Sequence, residues 1–96
     1  MAKGAVAALD KANISHGVGK DVIVMGFDCN KWALEELKAG NWNYDGQCNP
    51  FQASYIDEII KKLENGETIS EKTIIMDEKG FDASTITADD VEKYGI

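Results

Sequence analysis

Apolar and polar residues alternate along the chain with periods that predict helices and strands in turn. Between residues 2 and 12, small apolar residues recur every three or four positions, which places them on one face of a helix. The run from Val22 to Met25 is rich in β-branched residues and too short for a helix, so it predicts a parallel strand covered on both faces. Asn30 is a suitable N-cap for a second helix over 31–39, and Gly40 supplies its stop.

The middle of the chain repeats this alternation with less regular signals. The segment 42–48 predicts a weaker strand, because Asn, Asp and Gly lower strand propensity while two aromatic residues alternate with polar neighbours. Asn49 and Pro50 have the composition of an N-cap and a first helical position, and Gly66 that of a helix stop. The helix between them carries apolar residues spaced as one helical face, namely Ile56, Ile59, Ile60 and Leu63.

The last third predicts little regular structure. Thr73 to Met76 predicts a third short strand, and the remainder from Asp77 is expected to be largely irregular, with one helical turn starting at Thr87. The resulting order of helix, strand, helix, strand, helix, strand implies an α/β fold with mainly parallel strands and right-handed crossovers. Ligands of such sheets bind beyond the carboxyl ends of the strands, so Asp28 and Cys48 lie where chemistry is expected.

Composition limits the size and the partners of the fold. The 96 residues are 44% hydrophobic and 28% charged, which suits one small globular unit and is too short for two lobes and a cleft. The formal net charge of −7, with no basic cluster longer than Lys61-Lys62, argues against a nucleic-acid partner. The sequence has neither an apolar run long enough to insert into a membrane nor the pattern of a signal peptide.

Catalytic and metal chemistry find little support in the residues present. The only histidine, His16, lies at the opposite end of the first strand from Cys29, so a Cys-His pair is not expected. Cys29 and Cys48 could approach each other as a disulfide, or remain free thiols, and their spacing matches no metal motif. We therefore expect no enzyme activity, no metal and no cofactor.

The segment Asp21 to Gly40, DVIVMGFDCNKWALEELKAG, resembles type I periplasmic sugar-binding proteins of the ribose- and galactose-binding kind, which serve ABC transporters. In that family a valine-rich strand ends in Gly-Phe-Asp and a helix follows. The segment 47–51 is similar to the family's last strand and its Asn-Pro dipeptide, and residues 63–66 are similar to its Leu-x-x-Gly turn. Residues 85–91 are similar to its terminal motif, and residues 1–5 to the helix that follows a ligand-contacting Asn-Asp pair.

The resemblance implies a Rossmann-like three-layer fragment, the C-terminal portion of a type I periplasmic-binding-protein fold. Residues 1–48 would belong to the C-terminal lobe, 49–70 would form a crossover helix that packs on an absent N-terminal lobe, and 71–96 would form a return strand and tail. The complete parent would bind a monosaccharide in the periplasm or outside the cell and would deliver it to an ABC transporter permease. Binding is expected to be incomplete in these 96 residues, because a cleft needs two walls.

The resemblance also nominates residues for sugar contact. Asp28 corresponds to the sugar-contacting aspartate of the Gly-Phe-Asp motif, although a strand-end aspartate can equally cap the following helix. Gln47 is a second candidate, but the family's polar contact commonly stands two residues before the proline, where this chain has Cys48. Asn30 and Asn49 are candidates that also suit helix capping. Core packing is the default expectation for the four nearby aromatic residues, Trp32, Trp42, Tyr44 and Phe51.

Three other interpretations stay open. The chain could be a fragment of the effector-sensing domain of a LacI-type transcription regulator, which shares the fold, although no DNA-binding helix-turn-helix is present. A phosphoacceptor domain using Asp28 would need further carboxylates and a lysine that the chain does not offer at matching positions. The third is an α/β module without ligand function that self-associates, as a possible homodimer, through helices lacking their usual partners.

Overall fold

The computed structural model describes all 96 residues and contains four helices and three short strands. Their order is α1 (Ala2–Lys11), β1 (Met25–Phe27), α2 (Lys31–Lys38), β2 (Tyr44–Gly46), α3 (Ala53–Glu64), β3 (Gly80–Asp82) and α4 (Ala88–Tyr94). This alternation confirms the predicted α/β class. The expected turn at Thr87 is a longer helix than predicted, because Thr87 and Asp90 form a complete capping box at the start of α4. No helix combines the length and the apolar character that crossing a membrane requires.

The three strands form one mixed sheet in the order β1-β2-β3. β1 pairs parallel to β2, with Gly26 opposite Asp45, and β2 pairs antiparallel to β3, with Asp45 opposite Phe81. The third strand was predicted at Thr73 to Met76, and that prediction is wrong. A short apolar run forms a strand only where it meets a free strand edge, and here the chain reaches the edge of β2 several residues later.

The core lies on one face of this sheet. α2 buries Ala33, Leu34 and Leu37, and α4 buries Val91 against the same cluster. Val24, Cys29, Trp42 and Phe81 complete the buried apolar set. α1 contributes partly buried residues along one side, as its spacing predicted. The well-packed part of the molecule is therefore the layer between β1, β2, α2 and α4.

The other face of the sheet is open to solvent. Ile23, Met25 and Phe27 are 70%, 63% and 72% exposed, so the expectation of a first strand covered on both faces is wrong for this chain. α3 has no buried residue, and its apolar stripe of Ile56, Ile60 and Leu63 faces solvent. Apolar surface of this extent is typical of a region that packs on another part of a larger structure.

The overall dimensions agree with this description. The radius of gyration is 17.9 Å and the molecule measures 60 × 25 × 17 Å. A compact domain of this length has a radius of gyration of about 12.5 Å. The chain is therefore elongated, and α3 extends away from the core without covering it.

The helix ends test the predicted caps. Asn30 is at the N-cap position of α2 but makes no side-chain cap bond, and α3 begins after Gln52 instead of at Pro50. The Asn49 side chain accepts a hydrogen bond from the Phe51 amide at 2.9 Å, which forms a turn ahead of the helix. Asn49 is therefore not the N-cap of α3, because its side chain is bonded within that turn. Gly40 and Gly66 have the predicted positive φ angles of 82° and 76° just after α2 and α3.

Candidate functional site

Asp28 stands at the carboxyl end of β1, where the chain turns toward α2. Its backbone amide donates to the Gly46 carbonyl at 2.9 Å, which extends the parallel pairing of β1 and β2 by one residue. Its side chain is exposed and makes no hydrogen bond within the protein. The carboxylate is therefore free to accept hydrogen bonds from a ligand, and it does not cap α2.

The turn after β1 has an unusual backbone. Asp28 and Cys29 have φ angles of 92° and 52°, and a left-handed conformation at a non-glycine residue costs on the order of 1–3 kcal/mol. The Cys29 amide donates to the Asp45 Oδ1 atom at 3.0 Å. The Cys29 carbonyl accepts from the Ile96 amide at 3.1 Å, and the Ile96 carbonyl accepts from the Lys31 amide at 3.0 Å. Contacts from β2 and from the last residue thus hold the turn on both sides.

A shallow groove of about 240 Å³ runs along this turn. Lys3, Asp28 and Asn30 supply its polar groups, Trp32 supplies aromatic surface, and the buried Trp42 lies behind it. The rest of its wall comes from the start of the chain, from β1 and from α2, namely Met1, Ala2, Met25, Gly26, Phe27 and Ala33. The structure therefore brings together two of the four residues nominated from the sequence.

Gln47 and Asn49 lie outside this groove, on the connection between β2 and α3. The Gln47 side-chain oxygen accepts from the Lys79 amide at 3.1 Å, and its backbone amide donates to the Lys79 carbonyl at 2.7 Å. The Asn49 amide donates to the Glu78 carboxylate at 2.6 Å. Both residues therefore form hydrogen bonds that hold the segment before β3 against the end of β2.

The aromatic residues differ widely in burial. Trp42 is only 2% exposed and stacks edge-on with Trp32, with ring centroids 5.6 Å apart. Trp32 and Tyr44 are each 37% exposed, and Phe51 is 71% exposed. Core packing was expected for all four, and it holds only for Trp42. Trp32 therefore offers apolar surface to the groove, and Trp42 supports it from the core.

Asp45, which the sequence analysis did not single out, is fully buried behind the turn. Burial raises the pKa of its carboxyl, and the nearby charge of Asp28 adds to this, against the hydrogen bond from the Cys29 amide. Burial likewise raises the pKa of the Cys29 thiol to about 12, with a further contribution from Asp45. Cys29 is therefore a neutral thiol near pH 7 and a poor nucleophile. An aspartate in the middle of a short strand, flanked by an aromatic residue and a glycine, was the available signal.

The remaining reactive groups do not gather into a second centre. Cys29 is buried, Cys48 is exposed, and both are free thiols. The two ring nitrogens of His16 lie 2.8 Å from the Asn41 carbonyl and from the Asp10 carboxylate, so the histidine ties α1 to the end of α2. No three metal-binding side chains come together.

Comparison with solved structures identifies the fold, whereas no protein-family profile matches the chain. A galactofuranose-binding protein superposes with a TM-score of 0.78 over 95% of this chain at 21% identity. A protein from Mycobacterium smegmatis in complex with β-D-fucofuranose superposes with a TM-score of 0.68 over 84% of the chain at 26% identity. A further Mycobacterium smegmatis structure gives 0.72 over 86% at 24% identity.

The chain is short relative to all three of these structures. It spans 27%, 26% and 30% of their lengths, which is less than one third in each case. The superpositions nevertheless cover 84–95% of its own length. The chain therefore has the fold of a fragment of a type I periplasmic-binding protein.

Proposed function

We propose that this chain is part of a sugar-binding protein of the type I periplasmic class and that the complete protein binds carbohydrate without catalysing a reaction. The observation that carries the proposal is the structural match to a galactofuranose-binding protein over 95% of the chain. A second match, at 26% identity, is to a protein whose structure contains β-D-fucofuranose. A monosaccharide is therefore the ligand class we assign.

The groove at the end of β1 has the chemistry that such a ligand needs. Sugars are held by carboxylates and amides that bond to neighbouring hydroxyls, and by aromatic surfaces against the apolar face of the ring. Asp28 offers a carboxylate with no other hydrogen-bond partner, and Asn30 lines the same groove. Trp32, which is 37% exposed, supplies the aromatic surface, and the buried Trp42 packs edge-on against it. We assign the main polar contact to Asp28 and a secondary one to Asn30.

Gln47 and Asn49 have a weaker claim to sugar contact in this arrangement. The Gln47 oxygen is bonded to the Lys79 amide, and the Asn49 oxygen is bonded to the Phe51 amide. Their side-chain NH₂ groups and one further lone pair on each oxygen are left for a ligand. We propose that both would contact sugar only across the cleft of a complete protein.

The complete protein would supply the second wall of the cleft. The groove is open on one side, and the stripe of Ile56, Ile60 and Leu63 on α3 is exposed. We propose that residues 1–48 belong to one lobe, that segment 49–70 packs on a first lobe, and that 71–96 form the return strand and tail. By family resemblance, such a protein acts in the periplasm or outside the cell and delivers its sugar to an ABC transporter permease.

The other interpretations are less favoured. The structural neighbours whose ligands are known bind sugars, which gives no support to a fragment of a LacI-type regulator or to a module without a ligand. Self-association remains a separate matter, since a second copy could cover the α3 stripe in place of a first lobe. Size-exclusion chromatography with light scattering tests it: a homodimer would show that a second copy covers exposed apolar surface of this chain, whereas a monomer leaves the stripe for the first lobe.

Ligand binding is tested by thermal unfolding of the purified chain with five-membered-ring and six-membered-ring sugars. At a hundredfold excess over Kd, a bound sugar stabilises the folded state by about 2.7 kcal/mol, which raises Tm by several degrees. Because the second wall of the cleft is missing, binding to the groove alone should be weak; at high sugar concentration we expect a shift with galactofuranosides or fucofuranosides that is lost in Asp28→Asn. Asp77→Asn is the matched control, because Asp77 is exposed, makes no hydrogen bond and lies outside the groove. An equal shift in both variants would remove Asp28 from the site.

A further inference from the structure

The feature that carries a further inference is the pair of consecutive left-handed residues at the end of β1. Asp28 and Cys29 both have positive φ, although neither is glycine. Such conformations persist only where surrounding contacts over-determine them. The contacts that impose this turn therefore also decide where the Asp28 carboxylate is placed.

Three hydrogen bonds reach the turn from outside it. The Gly46 carbonyl accepts from Asp28, and the Ile96 amide donates to Cys29, so two of the three are formed by backbone groups. The third is formed by a side chain, the Asp45 carboxyl, which accepts from the Cys29 amide. It is the one contact that a substitution can remove while leaving the backbone partners in place.

Asp45 has no other evident task in the structure. It is fully buried in β2, opposite Gly26 in β1 and Phe81 in β3. Its second oxygen, Oδ2, has no hydrogen-bond partner. A buried carboxyl with an unpaired oxygen destabilises a fold, and an apolar residue of similar size would pack between those strands at lower cost. The bond to the Cys29 amide is what an apolar residue could not provide.

The glycine opposite Asp45 makes room for its carboxyl. A Cβ atom on Gly26 would come within 2.9 Å of Asp45 Oδ2 and 2.5 Å of Trp42 Cζ3. Gly26 therefore leaves the space that both the Asp45 carboxyl and the Trp42 ring need. Any larger residue at position 26 would force one of these two groups to move.

We propose that Asp45 is a positioning residue for Asp28: it holds the Asp28–Cys29 turn in its left-handed conformation and so directs the Asp28 carboxylate into the groove. This deepens the proposed function and rests on it, because the turn matters to a ligand only if Asp28 contacts one. The statement about the turn itself concerns the free chain and is testable without sugar.

The experiment compares two substitutions in the 96-residue chain labelled with ¹⁵N and ¹³C. Asp45→Asn keeps a side-chain oxygen that can accept from Cys29, whereas Asp45→Leu has similar size and no acceptor. The measurements are the hydrogen-exchange rate of the Cys29 amide and the backbone chemical shifts of residues 28 and 29. Leu34 and Val91, which lie in the core, report whether each variant is folded.

We expect Asp45→Asn to keep the left-handed shifts and the protection of the Cys29 amide. Asp45→Leu should speed exchange of that amide about tenfold or more and move both shifts toward ordinary backbone values, while the two core amides stay protected. An Asp45→Leu chain with wild-type shifts and exchange at the turn would overturn the proposal. If Asp45→Leu does not fold, Asp45→Ser takes its place, because the serine hydroxyl is too short to accept from the Cys29 amide. Wild-type shifts and exchange at the turn in that variant would again refute the proposal.

A sugar titration separates this proposal from the proposed function. If the wild type binds a furanose sugar, Asp45→Leu should weaken Kd about tenfold and Asp45→Asn should restore it to within about twofold. Equal affinity in the wild type and Asp45→Leu overturns the positioning role. If the wild type binds no sugar but its turn collapses in Asp45→Leu, sugar binding by this chain is refuted and the control of the turn by Asp45 is supported.

Discussion

Two leucines that differ in burial give the sharpest test of how this chain is packed. Leu34 in α2 is fully buried, whereas Leu63 in α3 is 55% exposed. Replacing a buried leucine with alanine removes its apolar contacts and leaves a cavity, which costs about 2–5 kcal/mol. Leu34→Ala should therefore remove a large share of the stability of a small domain, which is on the order of 5–15 kcal/mol.

The same change on α3 should cost almost nothing. Leu63→Ala removes a side chain that already faces solvent, and alanine is the better helix former, so the free energy of unfolding should change by less than about 0.5 kcal/mol. Urea unfolding followed by circular dichroism measures both variants against the wild type. The midpoint should fall strongly for Leu34→Ala and stay in place for Leu63→Ala, at an unchanged denaturant slope.

Equal losses in the two variants would refute the reasoning. Such a result would mean that the α3 stripe is covered in solution, so that Leu63 is buried by something the isolated chain does not provide. Repeating the urea unfolding at a tenfold different protein concentration tests whether a second copy of the chain buries Leu63. A midpoint that rises with concentration points to a second copy, because association stabilises the folded state by mass action.

Three further predictions concern single residues. Hydrogen bonds to the Asn41 carbonyl and to Asp10 raise the pKa of His16. The stability contributed by protonated His16 is therefore fully present below about pH 6.5 and is lost as pH rises through the raised pKa. His16→Gln should flatten that part of a curve of Tm against pH. Thr87→Ala removes the side-chain cap of α4 and should cost about 1 kcal/mol in urea unfolding, with Thr85→Ala, outside the helix, as the smaller comparison. Gly40→Ala should cost about 1–2 kcal/mol although no atom obstructs the methyl group, because φ is +82°; a neutral result would show that the backbone there is free to relax.

Much of the local structure could be read from the order of residue types. The amphipathic spacing of α1 and α3, and the glycines at positions 40 and 66, indicated where helices form and end. The β-branched run before Gly-Phe-Asp indicated a strand, although the strand itself lies two to three residues later, at Met25–Phe27. These features depend on neighbours within a few positions, which is why pattern alone reveals them.

The candidate site was only partly accessible in this way. Asp28 could be nominated because a strand-end position follows from local pattern. Asp45 could not, because its role depends on the register that places β2 beside β1 and on a bond to Cys29, sixteen positions away. Gln47 was a second candidate, and only the folded chain shows that the Lys79 amide donates to its side-chain oxygen.

The sequence alone was sufficient to establish an α/β chain with an aspartate presented at the end of its first strand. Three-dimensional packing established that β3 runs antiparallel at Gly80–Asp82, that Phe51 and the α3 stripe face solvent, and that Asp45 is buried behind the turn. The physical reason is that hydrophobic periodicity shows which face of a helix or strand is apolar but does not show which other part of the protein packs on that face. The packing partner of each apolar face and the register of the strands are set by contacts between residues far apart in the chain, and those contacts exist only once the chain has folded.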